Sequence, residues 1–347
     1  MQLAPPMAAP VDEVMAKNWS AVQQSLAVLP DIHGQPFGLA VLIDEQGHFV
    51  AHVSSLVYEP LTAKMMDGTV VKLGRIGYDK ETRLVLLGAH DWKPNGRKAI
   101  PVSQAPQPGK VMLATPNGPV RAQMVSTNRP GVFAPSQRFV PLAEIQLEER
   151  DFPLGGALVF DSKAQLAGIL GAILAPIQTS PSAAKTVQDG VGASGGAGGG
   201  FSFTEASRAA NQFGPRGLTV GYALGPKVLE RVVSGFTSPS HEVRHPSVGI
   251  FFQSLEPGNR IQIIDVTPDG PAALAGIRKG DIVLKANGKP LISPVEFASF
   301  LFEQNPGNFI QLLVRRGDNE IAIEIKVAAQ DNLVSSVIGS QSCGLFN

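Results

Sequence analysis

Thr267-Pro-Asp-Gly-Pro-Ala-Ala-Leu-Ala-Gly-Ile-Arg-Lys-Gly-Asp-Ile-Val-Leu284 is the stretch that organises the C-terminal part of this chain. Asp269 or Gly270 can open a short helix with Pro271 in its first turn, and Gly276 can close it. Just upstream, Arg260-Ile-Gln-Ile-Ile-Asp-Val266 alternates apolar and polar residues as a half-buried strand does. Val248-Gly-Ile-Phe-Phe252 reads as the strand before it. Downstream, Asn287-Gly288 is a two-residue hairpin signal. Ser293-Pro-Val-Glu-Phe-Ala-Ser-Phe-Leu-Phe302 has an N-cap serine, proline at the first helical position and apolar residues at helical spacing. Phe309–Val314 and Ile321–Val327 then pair around Arg316-Gly-Asp318. A compact α+β module over residues 243–328 is the expectation, with 329–347 as a tail.

Upstream of this module the texture changes. A helix is expected from about Val11 to Val28, ending at Pro30, so residues 1–36 read as an N-terminal extension. From Phe37 the chain breaks into short apolar runs: Gly38-Leu-Ala-Val-Leu-Ile43, Lys110-Val-Met-Leu-Ala114 and Ala157-Leu-Val-Phe160. Asp44-Glu-Gln-Gly47 and Thr115-Pro-Asn-Gly118 supply turns between runs, so this part is mostly β. Residues 178–200 end in Gly195-Gly-Ala-Gly-Gly-Gly200, too poor in apolar side chains to bury a core. Because a strand (Leu218–Leu224) and a helix (Pro226–Ser234) follow, this segment reads as an insertion at about 178–216 within a domain spanning 37–236. The boundary to the next module falls near Gly235–Glu242.

Bulk properties narrow the functions. The 347 residues include 29 basic and 29 acidic side chains, so no net field draws the chain to nucleic acid or an anionic membrane. No apolar run reaches the roughly 18 residues of a membrane span. The one cysteine, Cys343, excludes an internal disulfide framework and a cysteine-based zinc site. Such scarcity of thiols fits an oxidising compartment such as a periplasm. Met1-Gln-Leu-Ala-Pro-Pro shows no secretion signal, so the expectation is either a cytoplasmic chain or a mature, trimmed form. His241 and His245 have the spacing of a helical metal pair, but Pro246 follows and no third ligand is evident. They read as a solvated linker. Asp44 with Glu45, and Glu148 with Glu149, read as exposed charges. No phosphate loop, dinucleotide fingerprint or haem-attachment pattern occurs, and neither a cofactor nor a metal is expected.

Thr267–Leu291 resembles, with almost no departure, the PDZ domains of the HtrA/Deg proteases. The resemblance implies that an extended peptide lies between one strand and one helix, adding itself to the sheet. A nest of backbone N–H groups would hold its terminal carboxylate. By position that loop is Pro246, Ser247, Val248 and Gly249, with Ile250 and Phe252 on the strand that follows. Val295, Phe297, Ser299 and Phe300 lie on the groove helix, of which one face can line the groove while the rest is core.

More faintly, Phe37–Gly235 resembles the trypsin-like double β-barrel of the same family. Its nucleophile pattern G-N-S-G-G-A/P-L-V is met by Phe152-Pro-Leu-Gly-Gly-Ala-Leu-Val159, which puts Leu154 in the serine slot and Phe152 where a glycine shapes the oxyanion hole. Its D-x-x-T-D-L-A-L-L pattern is met by Asp79-Lys-Glu-Thr-Arg-Leu-Val-Leu-Leu87, so Arg83 stands in the acid slot, where it would repel a protonated histidine. For G-x-I-L-T-N-x-H-V, counting from Gly47 places Ser54 in the histidine slot, and counting back from Asp67 places Val53 there. Val50-Ala-His-Val53 alternatively makes His52 a relic base after a two-residue deletion. Gly192-Ala-Ser-Gly-Gly196 imitates the nucleophile pattern at Ser194, but no strand follows to hold it rigid.

Three functions stay open. The first is a catalytically inactive protein that captures extended or C-terminal peptide segments as scaffold, adaptor or chaperone-like factor. The second is an active serine endopeptidase of protein quality control with its triad elsewhere, Ser194 included. The third is a structural or regulatory subunit, homotrimeric as family members commonly are, or assembled with an active paralogue.

Overall fold

The computed structural model describes residues 13–57, 61–132, 138–147, 156–171, 175–176, 219–255 and 260–330. The chain forms two compact units, one holding two β-barrels and one made mainly of the chain from Arg244 onward.

The N-terminal helix α1 (Glu13–Val22) is shorter than the sequence suggests, and after one 3-10 turn the chain becomes strand β1 (Leu26–Pro30). Leu26-Ala-Val-Leu29 pairs in register with Gly38–Val41, and Ala27 and Leu29 are fully buried. Tertiary pairing outweighs the modest helix propensity of this run. The barrel domain therefore starts at Leu26, not Phe37. β1 is followed by β2 (Pro36–Leu42), β3 (His48–His52), β4 (Leu61–Met65), β5 (Val70–Asp79) and β6 (Leu84–Ala89). These six antiparallel strands close in the order β1-β2-β3-β6-β5-β4. Closure removes every open edge and surrounds a core of Leu29, Leu42, Phe49, Leu61, Met65, Leu73, Val85 and Leu87. The Asp44–Gly47 turn forms as expected, with Asp44 Oδ1 accepting the amides of Gln46 and His48.

The second barrel comprises β7 (Gly109–Thr115), β8 (Gly118–Val132), β9 (Phe139–Leu147), β10 (Leu158–Phe160), β11 (Leu166–Leu170), the two-residue β12 (Ala175–Pro176) and β13 (Thr219–Leu224). Its order is β8-β7-β10-β11-β13-β9, returned on itself by a β8–β9 pairing, with β12 added beside β8. Leu113, Met124, Ile145, Leu147, Val159 and Leu170 fill it. Helix α2 (Pro226–Phe236) follows, burying Val228, Leu229, Val232 and Phe236 on one stripe. Residues 178–216, including Ser194, lie outside the described residues.

The second unit contains β14 (Pro246–Ser247), β15 (Ile250–Leu255), β16 (Arg260–Val266), α3 (Pro271–Leu274), β17 (Ile282–Ala286), β18 (Lys289–Pro290), α4 (Pro294–Glu303), β19 (Phe309–Arg316), β20 (Asn319–Lys326) and β21 (Ala328–Ala329). Its sheet runs β15-β16-β17-β19-β20, with β18 on β17, while β14 and β21 pair separately. Ile261, Ile263, Val283, Phe297, Leu312, Val314 and Ile325 form its core. The hairpin at Asn287-Gly288 is made with both residues at positive φ, 46° and 78°. Ser293 Oγ accepts the Glu296 amide at 3.2 Å, capping α4 as read. Two details differ from the sequence reading. Val248 and Gly249 form a loop ahead of β15 rather than its first residues, and Ala329 belongs to the module through its pairing with Pro246.

Candidate functional site

Strand β3 carries His52 to the end of the first barrel, where it pairs with Leu84 at the start of β6. The chain then turns through Val53–Ser55 in one 3-10 turn with His52 as its N-cap. His52 Nδ1 accepts the Ser54 amide at 3.2 Å and lies 2.7 Å from Ser54 Oγ. Since Nδ1 is already an acceptor, the Ser54 hydroxyl donates to it, and Nδ1 takes both of these bonds from Ser54. The ring is 2% exposed. Burial, reinforced by the nearby Arg83 guanidinium, lowers its pKa from 6.5 to about 4.

Arg83 ends the β5–β6 turn at φ +59°, and its carbonyl accepts the Val53 amide at 2.9 Å. One carboxylate of that turn, Asp79, is occupied. Asp79 Oδ2 accepts Thr82 Oγ1 at 2.5 Å and the Thr82 amide at 3.2 Å. Ser55, 1% exposed, is wedged between the two barrels. A side chain at Gly38 of β2 would meet Ser55 backbone at 2.5 Å, and one at Gly156, just ahead of β10, would run into Ser55 Oγ. Ser55 Oγ and Arg83 Nε are both buried without a hydrogen-bond partner. His52, Ser54, Ser55 and Arg83 thus gather where the first barrel meets Gly156. Leu154 and Phe152 lie outside the described residues.

This arrangement suits proton abstraction poorly. A base whose conjugate acid has a pKa near 4 pulls weakly on a hydroxyl at neutral pH, and a cation beside it opposes the imidazolium that abstraction would create. His241 and His245 do not form a metal pair. The His241 ring meets His48 edge-on at 5.3 Å with its Nδ1 2.6 Å from the Phe236 carbonyl, while His245 is buried and its carbonyl accepts the Gln330 amide. They are therefore not a solvated linker either. Among the described residues no group of three His, Cys, Asp or Glu side chains could hold a metal.

In the second unit, β15 is the end strand of its sheet, paired on one side with β16. Helix α4 packs against β14, β15 and β16, beside this end strand. Gly249 enters this edge at φ +71°, with its carbonyl accepting the Thr267 amide at 2.8 Å, while the Val248 carbonyl accepts that of Ala272 at 3.0 Å. These bonds hold the loop onto β16 and α3. Ile250, Phe252 and Phe300 are partly buried against the core of this unit, and Val295 and Ser299 are half-buried on α4. Phe297 is 0% exposed and packs 4.8 Å from the Phe252 ring, so it belongs to the core, as does Val248. Pro246 and Ser247 are engaged with Ala329 and Ala328 and form a strand rather than a free loop. Sequence inspection missed that pairing because two alanines carry no periodic signal.

Residues 246–327 match the family model of the PDZ domain. The serine endoprotease DegS of Salmonella typhimurium is 24% identical over 307 residues, covering 84% of this chain and 76% of its own. This is an HtrA-like chain with a C-terminal PDZ domain. The HtrA-like architecture extends over nearly the whole molecule. The serine endoprotease from Yersinia pestis superposes with a TM-score of 0.58 at 19% identity, covering 93% of this chain and all of that one. The HtrA-type protease AlgW, solved with a decapeptide, superposes with a TM-score of 0.61 at 18% identity over 91% of this chain and 98% of its own. At these identities the superpositions establish the fold. The magnetosome formation protease MamE of Magnetospirillum gryphiswaldense is 32% identical over 126 residues, or 35% of this chain.

Proposed function

We propose that this HtrA-like chain captures extended polypeptide segments on its PDZ domain and does not hydrolyse them. The observation that carries the reading is the β15 edge beside α4, entered through the left-handed Gly249 loop. A peptide laid along that edge gains main-chain hydrogen bonds, and the apolar rim of Ile250, Phe252 and Phe300 selects apolar side chains near its carboxyl end. Inactivity is supported by Arg83 and Leu154 standing at positions where the family pattern has its acid and nucleophile, and by a buried imidazole whose Nδ1 is taken up by Ser54. We place the protein outside the cytoplasm, as its thiol scarcity suggests, in a homotrimer or beside an active paralogue.

The test has two arms on the full-length chain. Incubation with unfolded casein and a serine-reactive fluorophosphonate is expected to give neither cleavage nor labelling. Titration with fluorescent peptides ending in a free apolar residue is expected to give saturable binding, lost when the terminus is amidated. Cleavage by the pure chain that disappears on replacing one serine, Ser194 or Ser54, would establish the active-endopeptidase reading instead.

A further inference from the structure

Two histidines far apart in the chain meet within the first unit. His48 opens β3 and His241 lies in the segment after α2, with ring centres 5.3 Å apart and ring planes at 78° to each other. In each ring Nδ1 is fixed by a neighbouring oxygen. Asp44 Oδ2 lies 2.5 Å from His48 Nδ1, and the Phe236 carbonyl lies 2.6 Å from His241 Nδ1. An ionised carboxylate and a carbonyl only accept, so both Nδ1 atoms carry the proton and each neutral ring keeps its lone pair on Nε2. Among the described residues neither Nε2 has a hydrogen-bond partner. The backbones are held as firmly as the rings. Asp44 Oδ1 accepts the His48 amide, and the His241 amide donates to the Ser238 carbonyl. Gly77 of β5 lets the His241 carbonyl come close, since a Cβ there would stand 3.3 Å from it. Both histidines are only partly buried, so solutes can reach them.

We propose that His48 and His241 form a two-imidazole site for a divalent transition ion of the Zn²⁺ kind. A histidine that donates from Nδ1 to a carboxylate or a backbone carbonyl, and is open at Nε2, is prepared to ligate such an ion. The outer acceptor fixes the tautomer and makes the free nitrogen more basic. The spacing fits as well. A Zn²⁺ about 2.0–2.1 Å from each Nε2 stands roughly 3.2 Å from each ring centre, so centres 5.3 Å apart subtend about 110° at the ion, the tetrahedral angle. Among the described residues no third His, Cys, Asp or Glu side chain joins the pair, so water fills the other positions. Mg²⁺ and Ca²⁺, which take oxygen ligands, do not suit two imidazoles. A bound ion ties the segment that follows α2 to the start of β3. The site shares no residue with the β15 edge and stands apart from the peptide-capture reading.

The experiment titrates zinc sulfate into the full chain by calorimetry, with magnesium sulfate at the same concentrations as control. The expected result is one saturable zinc site and no magnesium binding. His48→Gln and His241→Gln should each weaken zinc binding about tenfold or more, because one imidazole alone cannot chelate. Asp44→Asn keeps an oxygen for the amides of Gln46 and His48 but turns an amide NH₂ toward His48 Nδ1. That drives the proton to Nε2 and should weaken binding about tenfold, as loss of an outer partner does. His33→Gln, in the β1–β2 turn, should leave binding unchanged. NMR of the unsubstituted chain is a second readout that needs no variant to fold. The ring signals of His48 and His241 should move together, ahead of those of His33, His52, His90 and His245. Zinc binding undiminished in folded His48→Gln and His241→Gln proteins, equal heats for zinc and magnesium, or ring shifts centred on the other histidines would overturn the proposal.

Discussion

At the residue scale, His52 dominates what is unusual about the first barrel. Its folded pKa of about 4 lies below the unfolded value of 6.5, so the unfolded chain takes up the proton first as pH falls. Stability contributed by the neutral ring is intact above pH 6.5 and is lost as pH falls from 6.5 to about 4. The full excursion is on the order of 3 kcal/mol. Denaturant midpoints between pH 8 and pH 4.5 should drop more steeply for the wild-type chain than for His52→Gln, and equal slopes would show that the ring titrates normally. The residues that the family pattern picks out, Ser54, His52 and Arg83, are neighbours in the fold. Sequence patterns missed Ser55, whose place between Gly38 and Gly156 arises from two strands of different barrels and leaves no local trace.

At the scale of single elements, the loop before β15 and the clamp behind α3 are the sensitive parts of the PDZ domain. Gly249→Val puts a β-branched side chain at φ +71°, with its Cβ 3.0 Å from Thr267 Cβ. The backbone conformation alone costs about 1–2 kcal/mol for a non-glycine residue. Peptide binding should be abolished, while the barrels keep their circular-dichroism signature. Arg316 grips Asp281 with Nε and Nη2, each at 2.8 Å, and also donates to the Gly276 carbonyl. Asp281 is 1% exposed, so Arg316→Ala strands a buried carboxylate and should cost about 3 kcal/mol of PDZ stability. A denaturation midpoint unchanged by that substitution would mean that Asp281 finds another donor. Elements with strong local chemistry were legible in advance: the Ser293 cap, the Asn287-Gly288 turn and the alternating β16. The stretch Leu26–Pro30 was not, since its residues suit helix and strand alike until Gly38–Val41 pairs with them.

At the scale of the whole molecule, the PDZ unit holds its own core, from Val248 through Phe297 to Val327. A fragment covering residues 243–330 should therefore fold alone and melt in one cooperative transition. A gradual, non-cooperative melt would mean that the unit depends on the rest of the chain. The proposed homotrimer is checked by mass in solution, where a monomeric value at micromolar concentration would remove it. The order of modules and the mostly β character followed from the sequence, because turn residues and apolar runs repeat at short intervals throughout.

What the sequence determined by itself was local: the strand periods, the capped helix of the PDZ domain, its glycine turns, and side chains unlike those of a working triad at the positions a resemblance picks out. The tertiary structure decided the rest. It drew Leu26–Pro30 into a barrel, sank Phe297 into the core, and buried an imidazole beside Ser54 within the influence of Arg83. Each of those outcomes depends on burial and on partners far away in the chain, which no window of neighbouring residues contains.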